Sequence, residues 1–180
     1  CDSSQIEARV LAWWAGQNDL VNAFTNGDDV YVNMASRIYN VPESDVTKDQ
    51  RFVGKTTILG CGYGMGSIRF QNQLKTFGVS VPIEESRRII NIYRETNYAI
   101  TKLWNEASVC IKELTNKQAV RVGAVSLVKA LGPLQALCLP SGLLMRYEDL
   151  QSEQGEKGLE YTYKTRRGRT RIYGGKMVEN

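Results

Sequence analysis

Four residues spaced by four positions carry the clearest chemical pattern in this sequence: Arg51, Lys55, Leu59 and Tyr63. Residues four apart lie on one face of an α-helix. Two cations one turn apart suit a polyphosphate, and an apolar side chain followed by an aromatic ring suits a flat base. The spacing therefore predicts a nucleotide-binding face on a helix; the alternative is an ordinary amphipathic helix with solvated cations.

Glycines accompany this face at positions 60, 62 and 64. Since glycine inside a helix costs about 1 kcal/mol relative to alanine, we expect them to let a nucleic acid or another helix approach closely. Gly54-Lys55-Thr56 is not the end of a P-loop, because the first glycine of that motif would fall on Asp49. The glycine spacing also differs from that of the dinucleotide-binding motif.

A second candidate site lies at the start of the sequence, in Asp2-Ser3-Ser4-Gln5-Ile6-Glu7-Ala8-Arg9. Asp2 precedes a predicted helix, and a carboxylate there can bind a hard cation such as Mg²⁺ through oxygen. The alternative is that Asp2 and Ser4 cap the helix. Ser4 and Glu7 have the spacing of a capping box.

Composition excludes several kinds of chemistry. The 180 residues carry a formal net charge of +4, no histidine and four cysteines without a C-x-x-C pair. Zinc ligation and Cys–His catalysis by this chain are therefore not expected. No uncharged stretch is long enough for a membrane helix, so the sequence predicts a cytoplasmic protein without membrane contact.

Periodicity predicts mostly helix, followed by strands. Helices are expected at 4–15, 18–25, 30–39, 48–63 and 67–77, with a long periodic run over 83–115. Residues 120–128 are β-prone, residues 139–142 form a turn, and strands are expected at 143–149, 158–165 and 169–173, linked by 151–157 and 166–168. The strand pattern predicts an antiparallel sheet.

Together, these motifs resemble those of family A (Pol I-like) DNA polymerases. Asp2-x-Ser4-Gln5-Ile6-Glu7-x-Arg9 resembles motif A of that family, and Arg51-x-x-x-Lys55 followed by Gly60-x-x-Tyr63-Gly64 resembles its motif B. Between them, Asp29-Val30-Tyr31 with Ala35-Ser36 matches a family segment. Tyr173-Gly174-Gly175-Lys176-x-Val178-Glu179-Asn180 resembles a segment common in phage-type members.

The resemblance implies an α+β fold, mainly α, in which a helical fingers lobe is inserted in part of an antiparallel-sheet palm. Residues 1–16 would form a palm edge with motif A. Residues 17–138 would form the fingers, with the nucleotide-binding helix at about 48–63. Residues 139–180 would supply palm strands and the start of a helix.

The resemblance also implies template-directed DNA polymerase activity with two Mg²⁺ ions. Asp2 would bind the metals with help from the Ser3 carbonyl, and a second aspartate would come from outside this chain. Lys55 would hold the triphosphate and protonate the leaving group. Primer–template DNA would contact Tyr63, Gly64 and Arg9.

Six residues would contact the incoming dNTP by this resemblance: Glu7, Tyr31, Arg51, Lys55, Leu59 and Tyr63. Glu7 would exclude a 2′-hydroxyl, and Tyr63 would lie beside the templating base and hydrogen-bond to Glu7. Leu59 departs from the phenylalanine or tyrosine that is commoner in the family.

The sequence opens on Cys1 and closes on residues that resemble the start of a helix. We therefore expect an internal piece of a longer polymerase that is inactive by itself. Leu59 and the Tyr173-Gly174-Gly175-Lys176 stretch favour a phage-type enzyme, with a bacterial repair enzyme as the alternative. Two alternatives stay open: a single-subunit RNA polymerase, against which Glu7 argues, and a non-catalytic nucleic-acid-binding module. The basic stretch 164–171 is compatible with the second.

Overall fold

The computed structural model describes residues 4–118, 121–123, 128–131, 134–139, 141–155 and 158–172. The chain divides into two compact units, residues 1–101 and 102–180. The helices are α1 Ile6–Ala15, α2 Asn18–Asn26, α3 Val30–Tyr39, α4 Lys48–Gly62, α5 Ser67–Thr76, α6 Ile83–Thr96 and α7 Tyr98–Thr115, with a 3₁₀ turn at Glu43–Asp45. The strands are β1 Arg121–Val122, β2 Val128–Leu131, β3 Ala136–Cys138, β4 Leu144–Arg146, β5 Glu148–Gly155, β6 Gly158–Thr165 and β7 Gly168–Ile172. The predicted mainly helical α+β class is confirmed.

Local signals set most helix ends in the first unit. α2 ends at Gly27 with φ 79°, and α3 ends at Asn40 with φ 54°. Both residues adopt the left-handed conformation that closes helices and that glycine and asparagine tolerate best. Gly64, with φ 74°, follows α4 in the same way.

The capping box predicted at Ser4 and Glu7 is wrong. α1 begins one residue later than that box requires, after Gln5 with φ 61°, and no side chain caps it. The Ser4 carbonyl instead accepts a hydrogen bond from Arg9 Nε at 3.1 Å. A capping box does form at α4, between Thr47 and Gln50.

The periodic run over 83–115 is two helices, because the chain breaks at Asn97. Gln17, which is 1% exposed, bridges the break from elsewhere in the unit. Its Nε2 donates to the Thr96 carbonyl at 3.2 Å, and its Oε1 accepts from the Ala99 amide at 2.9 Å. These two backbone groups at the break are therefore hydrogen-bonded by a side chain, which periodicity alone does not reveal.

The second unit contains antiparallel strands, as predicted, but in two sheets of order β1-β2-β3-β4 and β5-β6-β7. The prediction that 151–157 is a link is wrong for residues 151–155, because β5 continues to Gly155 and pairs with β6. Residues 151–154 are all exposed and polar, so this strand lacks the apolar alternation that marks a half-buried strand. The described residues of the predicted turn at 139–142 support it, since the Gly142 amide donates to the Leu139 carbonyl at 2.9 Å and Gly142 has φ 80°.

Parts of the predictions lie outside the described residues, namely Val120, Val125, Leu127 and 173–180. In the described part of the chain, no helix is both long enough and apolar enough to cross a membrane. The subdomain limits 1–16, 17–138 and 139–180 stay predictions.

Candidate nucleotide-binding site

Beyond its first turn, the α4 helix presents one narrow stripe to solvent. From residue 53 to residue 62, every residue is buried except Lys55, which is exposed, and Leu59, which is partly exposed. Arg51 and Tyr63 extend the stripe by one turn at each end, and the Tyr63 side chain keeps 47% of its surface exposed. The four residues thus share an accessible face, as their spacing predicted. At a rise of 1.5 Å per residue, the stripe is about 18 Å long.

Glycine allows α1 to pack closely against the end of α4. A Cβ atom on Gly62 would lie 3.2 Å from Leu11 Cδ2. Leu11 lies one turn beyond Glu7 on α1, so this approach carries the Glu7 carboxylate to the Tyr63 end of the stripe. The expectation that these glycines admit another helix is confirmed at Gly62.

Tyr63 and the Glu7 carboxylate interact at this end of the stripe. Hydrogen bonding to Glu7, then burial and the negative charge of Glu7, raises the pKa of Tyr63 above its ordinary value. Tyr63 is therefore a neutral donor at physiological pH, and it holds Glu7 in place at the aromatic end of the stripe.

The cationic end of the stripe meets a carboxylate from α3. Arg51 Nε donates to Asp29 Oδ2 at 2.7 Å, and Arg51 Cζ lies 5.3 Å from the centroid of the buried Tyr31 ring. Asp29 Oδ1 accepts from the amides of Tyr31 at 3.0 Å and Val32 at 3.2 Å, so Asp29 also caps α3.

The pKa of Asp29 lies below its usual value. Burial acts in the opposite direction, but the Arg51 hydrogen bond, the two backbone amides and the Arg51 charge together favour the ionised form. Sequence reasoning had matched Asp29 to a family segment without seeing this contact. The available signal was a carboxylate placed immediately before a helix, which is the pattern of an N-cap.

Lys55 and Leu59 occupy the middle of the stripe. No carboxylate of the described residues forms an ion pair with Lys55. Its ammonium group is therefore available to an anion arriving from solvent. Leu59 adds a partly exposed apolar contact between Lys55 and Tyr63.

Arg9 and Gly64, both expected at the DNA, have structural contacts of their own. The Arg9 guanidinium lies 4.7 Å from the centroid of the Phe24 ring and donates from Nη1 to the Phe24 carbonyl at 3.3 Å, which ties α1 to α2. Gly64 is buried, and its amide donates to the Cys61 carbonyl at 2.9 Å. Their roles at DNA stay predictions.

The predicted metal ligands Asp2 and Ser3 lie outside the described residues. Among the residues that are described, no group of three or more His, Cys, Asp or Glu side chains is arranged to hold a metal ion. The metal site therefore stays a prediction from the sequence.

A buried helix with one accessible stripe, cationic at one end and aromatic at the other, defines a candidate nucleotide-binding unit. Comparison with known proteins is consistent with this class. The sequence model of DNA polymerase family A matches residues 1–122. The chain belongs to that family, whose members generally use divalent metals.

Two relatives illustrate the similarity. The DNA polymerase of Bacillus phage SP02 is 30% identical over 193 aligned positions, covering 99% of this chain and 29% of that protein. The thermostable DNA polymerase I of Thermus aquaticus is 32% identical over 108 positions, covering 60% of this chain and 12% of that protein. The chain thus spans less than a third of the length of either relative.

A solved structure is also similar. It is the POL domain of Pol1 from M. smegmatis in complex with DNA primer-template and dNTP, with a TM-score of 0.52 and 28% identity. The similarity covers 62% of this chain and 19% of that chain.

Proposed function

We propose that this chain supplies the dNTP-selecting part of a template-directed DNA polymerase, which transfers a nucleotide to the 3′-hydroxyl of a primer. The observation that carries the proposal is the interaction of Glu7 with Tyr63 at the aromatic end of the α4 stripe. This interaction supports a sugar-gating role for Glu7 and a base-stacking role for Tyr63, with Arg51 and Lys55 farther along the same face.

The residues of the stripe have separate tasks in this proposal. Arg51 and Lys55 neutralise the charge that grows on the pyrophosphate during phosphoryl transfer. Lys55 also donates a proton to the leaving group. Tyr31, whose ring lies against Arg51, contributes to the phosphate end, and Leu59 supports the nucleotide between the cations and Tyr63.

The metal requirement is proposed from the sequence. Asp2 and the Ser3 carbonyl offer the oxygen ligands that Mg²⁺ prefers, with a second aspartate supplied from outside these residues. When bound, two such ions stabilise the attacking and leaving oxygens of an in-line displacement.

The remaining assignments follow the same proposal. Residues 17–138 would serve as fingers, flanked by palm segments at 1–16 and 139–180. Primer–template DNA would pass Tyr63, Gly64 and Arg9, which agrees with the primer-template bound in the M. smegmatis structure. A phage-type enzyme acting in the host cytoplasm fits the similarity to the phage SP02 polymerase.

The sugar gate can be tested by Glu7→Ala in the complete polymerase. We expect the ratio of kcat/KM for ribonucleotides to that for deoxyribonucleotides to rise roughly tenfold or more, the scale on which one pocket contact discriminates between substrates. Glu95→Ala, which removes an exposed glutamate from α6, is the matched control. An unchanged ratio in Glu7→Ala would show that Glu7 does not exclude the 2′-hydroxyl, and it would favour the RNA polymerase alternative.

A further inference from the structure

We propose that Asp29 is a positioning residue, which orients the Arg51 guanidinium so that its outer edge faces the triphosphate of the incoming nucleotide. The inference rests on the proposed function, because it assigns Asp29 a task in the same site. It concerns a contact between two helices that the residue spacing on α4 does not reveal.

The contact uses only one of the donor positions of Arg51. Nε donates to Asp29 Oδ2 at 2.7 Å, whereas Nη1 and Nη2 have no hydrogen-bond partner among the described residues. The two terminal nitrogens carry the paired N–H groups that bind phosphate oxygens in a bidentate manner. Asp29 therefore engages the inner edge and leaves the phosphate-binding edge available.

The Tyr31 ring restrains the same guanidinium from a second direction. Arg51 Cζ lies 5.3 Å from the ring centroid, and the Tyr31 side chain is itself almost fully buried, at 6% exposure. A guanidinium held by a carboxylate at one edge and by a fixed ring at one face loses much of its rotational freedom before the ligand arrives. This preorganisation lowers the entropic cost of binding.

The backbone of both helices fixes the position of Asp29. Gly54, one turn along α4 from Arg51, lies so close to α3 that a Cβ there would be 2.2 Å from the Tyr31 carbonyl oxygen. Asp29 is further anchored by the amides of Tyr31 and Val32 that it caps. The carboxylate thus belongs to a rigid helix end, as a positioning residue requires.

Stability alone is a poor explanation for the ion pair. The Arg51 and Asp29 side chains are 43% and 39% exposed, and ion pairs at this exposure contribute little to folding. In addition, a carboxylate beside a phosphate-binding arginine weakens the positive potential of the site. The presence of the Asp29 carboxylate is explained if orienting Arg51 raises the affinity for phosphate more than the negative charge of Asp29 lowers it.

Two substitutions separate the orienting contact from the helix cap. Asparagine and serine cap helices about as well as aspartate. In Asp29→Asn, however, the side-chain oxygen is needed to accept from the backbone amides that it caps. The side-chain NH₂ group then faces the Arg51 donor, and two donors cannot form a hydrogen bond. In Asp29→Ser the side chain is one atom shorter and lacks the second oxygen. Both variants are expected to keep α3 folded and to release Arg51.

The experiment is a titration of the 180-residue chain with inorganic tripolyphosphate, followed by NMR of the arginine Nε–H and backbone amide signals. We expect Asp29→Asn and Asp29→Ser to weaken binding up to about tenfold, the scale of the cost of ordering one flexible side chain on binding. The Nε–H signal of Arg51 should also lose its hydrogen-bonded shift. Asp28→Asn, which removes the same charge one residue earlier, should bind as the unsubstituted chain does.

The outcomes distinguish the inference from the proposed function. If Arg51→Ala abolishes binding while Asp29→Asn and Asp29→Ser bind equally well or more tightly, Asp29 does not orient Arg51 and the triphosphate site stands. If Arg51→Ala binds normally, the triphosphate site itself is wrong and the inference fails with it. The backbone amide signals of α3 in the same spectra check that this helix remains folded in each variant.

Discussion

Arg51 and Tyr63 each meet a carboxylate from another helix, at opposite ends of one stripe on α4. Arg51 donates to Asp29, which favours the ionised carboxylate, and the interaction of Tyr63 with Glu7 favours the protonated phenol. Each contact fixes a side chain that would otherwise sample several rotamers. The stripe is thereby ordered at both ends, with Lys55 between them.

A prediction at the residue scale concerns the pKa of Tyr63. Ionised Tyr63 would lose its hydrogen bond and face the negative charge of Glu7, so its pKa lies above the ordinary value of about 10. Glu7→Ala should lower this pKa toward 10, as measured by NMR of ring-labelled tyrosine across alkaline pH. Glu95→Ala should leave it unchanged. A pKa equally high in Glu7→Ala would exclude the hydrogen bond as the cause.

The same contact has a defined effect on stability. Because the folded pKa of Tyr63 is raised, the Glu7–Tyr63 contact contributes its full stabilisation below the unfolded pKa near 10. The contribution is lost as the pH rises through the folded pKa. Glu7→Ala should therefore flatten the alkaline part of the stability profile of the chain.

At the element scale, the packing of α3 on α4 depends on Gly54. In the sequence, Gly54 stands out only in the Gly54-Lys55-Thr56 stretch that is not a P-loop, and nothing in the local pattern shows what lies against it. The structure places the Tyr31 carbonyl where a side chain at position 54 would begin. The arrangement of Arg51, Asp29 and Tyr31 follows from this close approach.

Gly54→Ala tests that packing. Alanine in a helix interior should by itself stabilise the chain by about 1 kcal/mol. Here its Cβ would overlap the α3 backbone, so we expect a net destabilisation of about 1–3 kcal/mol, measured by urea unfolding. Gly66→Ala is the control, because its Cβ would have no neighbour within 4 Å. A stabilised Gly54→Ala variant would contradict the close approach.

Helix ends and helix junctions differed in how well they could be predicted. The ends predicted at 25, 39 and 63 lie within one residue of the observed ends, because a left-handed Gly27, Asn40 or Gly64 closes each helix through its own backbone. The break at Asn97 was missed, because it is stabilised by Gln17, a residue 82 positions before Ala99. The strand at 151–155 was missed because its exposed residues lack apolar alternation.

At the scale of the whole molecule, the 180 residues form two compact units and span 29% of the length of the phage SP02 polymerase. The resemblance to the family requires a second catalytic aspartate motif, which does not occur in these residues. We therefore expect this chain alone to show no primer extension with Mg²⁺ and dNTPs, although it should bind tripolyphosphate.

That expectation is checked with the purified chain on a labelled primer–template, with the Thermus aquaticus polymerase as the positive control. Extension above the no-protein background would show that the 180 residues contain a complete catalytic site. The assignment of metal ligands would then have to be revised.

The α4 stripe, most helix limits and the family can be predicted from the residues alone, because a spacing of four and a terminal glycine act through local backbone geometry. The pairing of distant groups depends on how the helices pack: Asp29 with Arg51, Glu7 with Tyr63, and Gln17 with the α6–α7 break. Such contacts depend on how whole helices pack, and helix packing depends on the combined burial of many side chains. No local pattern around any one of these residues contains that information.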